Sequence, residues 1–233
     1  MTLATINSTV RAAIRVGCPL VLRAYITFKD RTINSTFAQI YETNKWGGAS
    51  RSGRGSDLSH TAAIRTQLPQ VISDLGIRSL LDIPCGDYYW MRHVDLRSVQ
   101  YIGADIVPHL IETNRHLYAT SQRRFEILDL TKDRLPRVDL ILCRDCLVHL
   151  SNRLVLRSLR SITASGSKYM LATTFPRTSV NLDNFTGGWR PLNLTMPPFG
   201  LPAPHLLIGE ALMEGGHTDK SVGLWEIDKL PRF

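Results

Sequence analysis

The chain has 233 residues, enough for one sizeable domain, and its balance of 43% hydrophobic and 21% charged residues excludes global disorder. Its formal net charge is +8, and residues 1–65 contain nine Lys and Arg against three Asp and Glu. A basic segment of this kind suits an anionic substrate, a nucleic acid or a membrane surface, and equally a solvated face. The cysteine spacing matches neither a secreted disulfide framework nor a paired zinc site, so Cys143 and Cys146 are predicted to be buried thiols.

The N-terminal segment is both basic and amphipathic. Arginines at 11, 15 and 23 interrupt its apolar stretch, so it reads as neither a signal peptide nor a membrane span, and a cytoplasmic location is expected. We expect a helix that packs on the domain or across a homodimer, with a membrane-surface helix as the alternative. The apolar stripe of this helix consists of Ile6, Val10, Ile14, Leu20, Val21, Tyr25 and Phe28.

A glycine- and serine-rich stretch at 45–57 ends a predicted N-terminal helical and lid segment, residues 1–57, and a second unit is predicted over 58–233. Ser56 or Asp57 is the expected N-cap of the first helix of that unit. Helices are predicted at 58–76, 88–94, 108–119 and 151–163.

Strands alternate with these helices. Buried strands are predicted at 79–84, 100–105, 123–128, 138–143 and 168–174, followed by two closely joined strands at 205–212 and 222–227. The alternation predicts an α/β fold, a Rossmann-like doubly wound sheet with helices on both faces. Five parallel strands and a C-terminal antiparallel hairpin make seven strands in all. The long Pro-, Gly- and Asn-rich stretch 175–205 is predicted to be a substrate loop.

Polar residues follow the predicted strands, where a doubly wound sheet binds its ligands. Asp82, Gly86 and Asp87 follow the first strand, and their two carboxylates would repel a pyrophosphate. The G-x-G-x-x-G fingerprint is absent, and an acidic loop suits a cationic ligand instead. Asp105 ends the second strand, where a carboxylate accepts hydrogen bonds from a ribose diol.

These features resemble the class I S-adenosylmethionine-dependent methyltransferases, whose cofactor carries an ammonium and a sulfonium group. The resemblance covers roughly residues 37–228. At Pro84 and Asp87 the chain departs from the commoner family loop, which has glycines there. The chain also resembles one bacterial branch of the family, whose members are often found among enzymes of polysaccharide and small-molecule O-methylation. The segments that carry this resemblance are YETNKWGGASRSGRGS, DIPCGDYYWM, GGWRPLNL, PPFGLP and DKSVGLW.

The resemblance implies a cofactor site. In it, Asp82 and Gly86 line the methionine end, Asp105 binds the ribose, and Asp129 with Leu130 flanks the adenine. Asp129 as a turn residue and Trp46 as a core aromatic are the alternatives. The implied cofactor-binding residues are Trp46, Gly47, Ser52, Ser56, Asp82, Pro84, Gly86, Asp105, Ile106, Asp129, Leu130 and Arg144.

His149, after the fourth strand, is the predicted general base, because a hydroxyl acceptor must lose its proton and imidazole titrates near neutrality. Asp145 is predicted to orient His149 or to bind Mg²⁺, which would acidify the hydroxyl. A structural histidine at a helix start is the alternative for His149. Further oxygen ligands for the metal are sought in Asp183, Asn184 and Glu210.

The predicted function is therefore transfer of a methyl group from S-adenosylmethionine to a saccharide or oligosaccharide hydroxyl. Trp189, Arg190 and Asn193 of the long loop, with Lys220 of the terminal hairpin, are the predicted substrate-binding residues. No nucleic-acid partner is expected, since no RNA-binding module is visible and the amino-methylating NPPY type of motif is absent after the fourth strand. The alternatives are a methyltransferase for RNA or another small molecule, and a non-catalytic cofactor-binding protein.

Overall fold

One seven-stranded mixed sheet forms the centre of the molecule in a computed structural model that describes residues 19–210 and 216–233. The strand order is β3-β2-β1-β4-β5-β7-β6, with β1 to β5 parallel and β7 antiparallel to both β5 and β6. The predicted sheet is confirmed. The strands are β1 (Ser79–Asp82), β2 (Gln100–Asp105), β3 (Arg123–Ile127), β4 (Leu140–Cys143), β5 (Tyr169–Thr174), β6 (Leu206–Gly209) and β7 (Ser221–Glu226).

Helices cover both faces of the sheet, as predicted, and the core is accordingly divided into two buried clusters. Residues of α5, among them Leu154 and Leu159, belong to one cluster. Residues of α3 and α4, among them Ile64 and Leu110, belong to the other. The helices are α1 (Pro19–Arg31), α2 (Ile33–Glu42), α3 (Ala62–Asp74), α4 (Pro108–Tyr118) and α5 (Asn152–Ala164).

Two helix predictions differ from the structure. Helix α3 begins at Ala62, four residues later than predicted, because residues 58–61 form a turn; its N-cap is Thr61 and not the predicted Ser56 or Asp57. The predicted helix at 88–94 is a turn with one 3₁₀ stretch, Met91–His93, since the backbone at Tyr88 takes a φ of 58° that no right-handed helix allows. The cap of α5 is as predicted: Ser151 accepts from the amide of Leu154.

Helix α1 is fastened to the rest of the molecule through Asp30, whose buried carboxylate accepts from Ser151, Arg153 and Thr186. The apolar stripe predicted for this region packs only in part. The ring of Tyr25 lies 5.4 Å from that of Phe185, whereas the side chains of Leu20 and Phe28 are exposed. Positions 6, 10 and 14 of the stripe lie outside the described residues, and the homodimer through this helix stays a prediction. Among the described helices, none has the length and apolarity needed to cross a bilayer.

Candidate active site

A pocket opens at the carboxyl ends of β1, β2 and β4, where the strand order reverses. The empty space between its walls is about 990 Å³ when the open mouth is included. The loops after four parallel strands wall it. They contribute residues 82–86, 105–107, 128–131 and 144–146.

The segment 46–57 closes one side of this pocket, with Trp46, Arg51, Ser52 and Ser56 in the wall. Gly47 turns the chain at the start of the segment, with φ 65°, outside the lining. That this segment covers a cofactor, as the resemblance implies, stays a prediction.

Asp87 holds the segment in place. Its carboxylate accepts from the Ser50 hydroxyl at 2.7 Å and from the amide of Arg51 at 3.0 Å, and its own amide donates to the Ser52 hydroxyl at 2.9 Å. The fit is tight because Gly86 has no side chain: a Cβ there would overlap the Ser52 hydroxyl, and its φ of 53° favours glycine. The sequence suggests that Asp87 faces a cationic ligand, but the structure shows it engaged with the segment instead.

Two buried carboxylates line the pocket. Asp82 is 2% exposed, and burial raises its pKa to about 7 although the hydroxyl of Tyr101 donates to it at 2.7 Å. Burial likewise raises the pKa of Asp105 to about 6, against the amides of Val107 and Gly86, which donate to it at 3.0 and 3.2 Å. A ligand that brought a cation and hydroxyl donors to these groups would favour their charged forms.

Asp129 and Leu130 lie in the wall after β3, and Ile106 and Pro84 are in the same lining. One oxygen of Asp129 accepts from the amide and hydroxyl of Thr131 at 2.9 and 2.7 Å. The other, Oδ2, is buried without a hydrogen bond and lies 3.3 Å from the ammonium group of the half-exposed Lys132. A buried acceptor in a pocket wall is what an amino group of a ligand would satisfy.

A cluster of four charged residues, the charge cluster, adjoins the pocket at the ends of β4 and β6 and the start of β7; Arg144, Glu210 and Lys220 are buried and Asp145 is partly exposed. Arg144 donates to Glu210 through two nitrogens, at 2.7 and 3.0 Å. Lys220 contacts Asp145 at 2.6 Å and Glu210 at 3.4 Å. Burial alone would raise the pKa of Asp145, but the charges of Arg144 and Lys220 outweigh it and hold that pKa far below its usual range.

The predicted magnesium site does not fit these donors. The Oδ2 atom of Asp145 already contacts two cations, Lys220 and Arg144 (3.1 Å). Asp183 accepts from the backbone amides of Asn152 and Asn184, and Glu210 is paired within the charge cluster. In the described part of the chain, no group of three or more metal-ligating side chains comes together. A divalent cation would have to displace buried ammonium and guanidinium groups, so Asp145 is not a metal ligand here.

His149 lies in a 3₁₀ stretch, Leu147–His149, and lines the pocket. Its ring stacks on Trp46 with 4.3 Å between centroids, and its Nδ1 atom lies 2.7 Å from the carbonyl oxygen of Gly188. Because a carbonyl oxygen only accepts, the neutral ring carries its proton on Nδ1, and Nε2 is then the basic nitrogen. The chain between Asp145 and His149 is a turn followed by the 3₁₀ stretch instead of the predicted helical turn, and the Gly188 carbonyl contacts the imidazole. An orienting role of Asp145 stays a prediction.

The predicted substrate residues of the loop 175–205 lie outside this pocket lining. The Arg190 guanidinium is buried and donates to the carbonyl of Val148 and the side chain of Asn152. Asn193 is buried in contacts with the loop's own backbone, and Trp189 packs against Phe175. Lys220 is 3% exposed within the charge cluster.

Sequence reasoning missed the contribution of α2 and of the turn after β1. Helix α2 places Ile33, Phe37, Ile40 and Tyr41 in the pocket wall, and Trp90 adds a second tryptophan. The spacing of three and four residues in α2 is a helical apolar stripe, a signal that the sequence does contain. Nothing in the sequence says that the stripe covers a pocket instead of the core.

The chain is similar to known proteins in its three-dimensional structure. No family model matches the chain, and a search of curated proteins gives no match either. It is similar to Burkholderia thailandensis 1,6-didemethyltoxoflavin-N1-methyltransferase, solved with bound 1,6-didemethyltoxoflavin and S-adenosylhomocysteine: the TM-score is 0.55 at 14% identity, over 86% of this chain and 89% of that one.

It is also similar to human N-acetylserotonin methyltransferase in complex with SAM, with a TM-score of 0.54 at 14% identity over 94% of this chain. The match spans 65% of the human enzyme's length. The chain has the Rossmann-like fold of S-adenosylmethionine-dependent methyltransferases. At 14% identity, this likeness establishes the fold but not the reaction, which depends on the residues of the pocket.

Proposed function

We propose that the protein is an S-adenosylmethionine-dependent methyltransferase that methylates a hydroxyl group. The observation that carries the proposal is the convergence of Asp82, Asp105 and His149 on one pocket at the switch point of the sheet. The two acids suit the cationic and ribose parts of this cofactor, and the imidazole suits removal of a proton from the acceptor.

The residues that would hold the cofactor follow the strand ends. Asp82 would receive the ammonium group, Asp105 the ribose hydroxyls, and Oδ2 of Asp129 the adenine amino group. Segment 46–57 would exclude water from this site. The remaining residues of the lining that we assign to the cofactor are Trp46, Ser52, Ser56, Pro84, Gly86, Ile106, Leu130 and Arg144.

When bound, the cofactor supplies an activated methyl group on a sulfonium. His149 would hold the acceptor hydroxyl by hydrogen bonding and take its proton on Nε2 as the oxygen acquires the methyl group. Trp46 on one side and the Gly188 carbonyl on the other keep the imidazole in one orientation. Alignment of this kind contributes a large part of the rate in a displacement reaction. No metal enters the proposal.

A saccharide or oligosaccharide hydroxyl is the acceptor class we propose. Arg51 supports it: its guanidinium lies over the ring of Tyr41 in the pocket wall, 5.9 Å from the centroid, and a polar group next to an aromatic face suits a polyol. A small molecule with a planar, less polar ring is a second candidate, favoured by the apolar wall of Ile33, Phe37 and Ile40 from α2.

The test is a transfer assay with isotope-labelled S-adenosylmethionine and three acceptor panels: oligosaccharides, small phenols and total RNA. We expect label in an alkali-stable ether of a saccharide, with turnover unchanged by a chelator. Label in a phenol would establish the second candidate, and label in RNA would overturn the small-molecule proposal. Cofactor binding without transfer to any panel would instead indicate a non-catalytic binding protein.

A further inference from the structure

The carboxylate of Asp82 is held from behind by a residue that does not line the pocket. Tyr101, in the middle of β2, is 2% exposed, and its hydroxyl donates to Oδ2 of Asp82 at 2.7 Å. Asp82 itself is in the pocket lining and Tyr101 is not. The hydroxyl of Tyr101 therefore reaches the pocket wall through its hydrogen bond to Asp82.

The register of the sheet makes this contact possible. Asp82 at the end of β1 is paired with Gly103 in β2, two residues beyond Tyr101 and on the same face of the strand. A Cβ at Gly103 would lie 2.6 Å from the Phe125 ring and 3.0 Å from the Tyr101 ring. Glycine at this position leaves the room in which the Tyr101 ring extends towards Asp82.

An aromatic cluster fixes the ring. The centroids of Tyr88 and Phe125 lie 5.3 and 5.9 Å from that of Tyr101. The hydroxyl of Tyr88 points to a different partner, since Arg123 donates to it at 2.9 Å. Tyr88 therefore shares the packing of Tyr101 without touching Asp82, which makes it a matched control.

We propose that Tyr101 is a positioning residue that holds the Asp82 carboxylate, ionised and correctly oriented, for the ammonium group of S-adenosylmethionine. This inference rests on the proposed function. A hydrogen bond donated to a buried carboxylate favours its charged form, and only the charged form attracts a cation strongly. In the absence of Tyr101's hydroxyl, the burial of Asp82 would favour the neutral acid.

The groups around Asp82 shift its pKa in opposite directions. Burial raises its pKa to about 7, the Tyr101 hydrogen bond and the Arg144 charge lower it, and the Asp105 charge raises it. Loss of the Tyr101 hydroxyl would therefore raise the pKa of Asp82 further. Binding of a cation by Asp82 would then require a higher pH than in the natural protein.

Calorimetry with two ligands tests the inference on the full chain. S-adenosylmethionine carries the ammonium group, whereas 5′-methylthioadenosine has the adenosine and thioether parts without the amino acid. We expect Tyr101→Phe to weaken the binding of S-adenosylmethionine about tenfold at pH 7, as for a lost hydrogen bond to a charged group. The binding of 5′-methylthioadenosine should weaken less than twofold. Tyr88→Phe should leave both affinities within about twofold.

A double-mutant cycle separates positioning from general damage. If Tyr101 acts through Asp82, Tyr101→Phe combined with Asp82→Asn should bind S-adenosylmethionine no more weakly than Asp82→Asn alone. The pH at which binding is half-maximal should also rise in Tyr101→Phe. Equal losses for both ligands, additive effects in the cycle, or an unchanged affinity would each overturn the inference. If the natural chain bound neither ligand, the proposed function itself would fail, a result distinct from all of these.

Discussion

The segment 46–57 and the loop 175–205 look alike in sequence, since both are irregular and rich in glycine with polar side chains, but they are held in different ways. The segment is docked on the turn after β1 through hydrogen bonds of Asp87 with Ser50, Arg51 and Ser52, which lie 35 to 37 positions away in the chain. It places four side chains in the pocket wall.

The loop 175–205 contains two asparagines whose side chains bind the loop's own backbone. The amide group of Asn181 donates to the carbonyls of Asn193, Met196 and Pro197, and Asn193 donates in turn to Pro176 and Thr178. This pair of buried asparagines, the asparagine clasp, occupies the side chains that a binding loop would present to a ligand.

This difference shows that composition is enough to predict an irregular segment. Its role depends on which groups its polar side chains bind. The two regions meet at His149. Trp46 of the segment stacks on its ring, and the carbonyl of Gly188 in the loop accepts from it. The loop therefore contributes to the site through its backbone, and the segment through its side chains.

The largest expected effect is at this meeting point. His149→Gln removes the proposed base while keeping a polar side chain of similar length, and we expect turnover to fall by about 10²- to 10⁴-fold. Affinity for S-adenosylmethionine should change less than about threefold, because the cofactor contacts lie elsewhere. Steady-state rates with calorimetry on the same preparation check both. A variant with natural turnover would remove His149 from the mechanism.

Breaking the asparagine clasp should cost stability and spare binding. Asn181→Ala leaves several buried backbone carbonyls without a donor, and we expect the free energy of unfolding to fall by about 3 kcal/mol. Denaturant unfolding measures it, with the exposed Val180→Ala as the control expected within about 0.5 kcal/mol. A large loss of cofactor affinity in the folded Asn181→Ala protein would contradict the division of roles.

Releasing the segment 46–57 should weaken cofactor binding more than it lowers stability. Asp87→Ala removes the acceptor for Ser50 and Arg51. We expect cofactor affinity to fall about 10- to 30-fold, because the segment is then no longer fixed against the pocket. Trypsin cleavage at the nearby arginines, 51 and 54, should become faster. The exposed Asp95→Ala, at a carboxylate remote from the pocket, is the control. Unchanged cleavage and affinity would mean that Asp87 does not hold the segment.

The smallest expected effect concerns pH and the pocket carboxylates. The pKa of Asp82 in the folded protein, about 7, lies above its ordinary value of 3.8, so the folded state holds a proton that the unfolded state releases between these pH values. This group therefore makes the free protein less stable as pH rises from about 4 to 7. Asp82→Asn should reduce that slope by on the order of 1 kcal/mol per pH unit in unfolding experiments, whereas Asn181→Ala should leave it unchanged.

Much of the fold can be predicted because it depends on local signals. Apolar runs locate all seven strands, and the Ser151 cap locates the start of α5. The rule that ligands bind at the carboxyl ends of parallel strands predicts that Asp82, Asp105 and His149 lie at one edge of the sheet, and all three line the same pocket there.

What the sequence misses depends on contacts between distant residues. The pairing of Asp145 with Lys220 spans 75 positions, and it excludes the metal that the carboxylate alone suggests. The capture of Ser50 by Asp87, the burial of Asn193 in the clasp and the hydroxyl of Tyr101 behind Asp82 are likewise visible only in three dimensions. Side-chain type and spacing along the chain do not encode such partners.

The central claim is that the pocket at the ends of β1, β2 and β4 binds S-adenosylmethionine through Asp105. Calorimetric titration of the natural chain and of Asp105→Asn with S-adenosylmethionine and S-adenosylhomocysteine tests it most directly. We predict a single site in the natural chain and an affinity at least about tenfold weaker in Asp105→Asn, because a buried carboxylate contributes charge-assisted hydrogen bonds to the ribose. Absence of binding in the natural chain, or equal binding in the variant, would contradict the account.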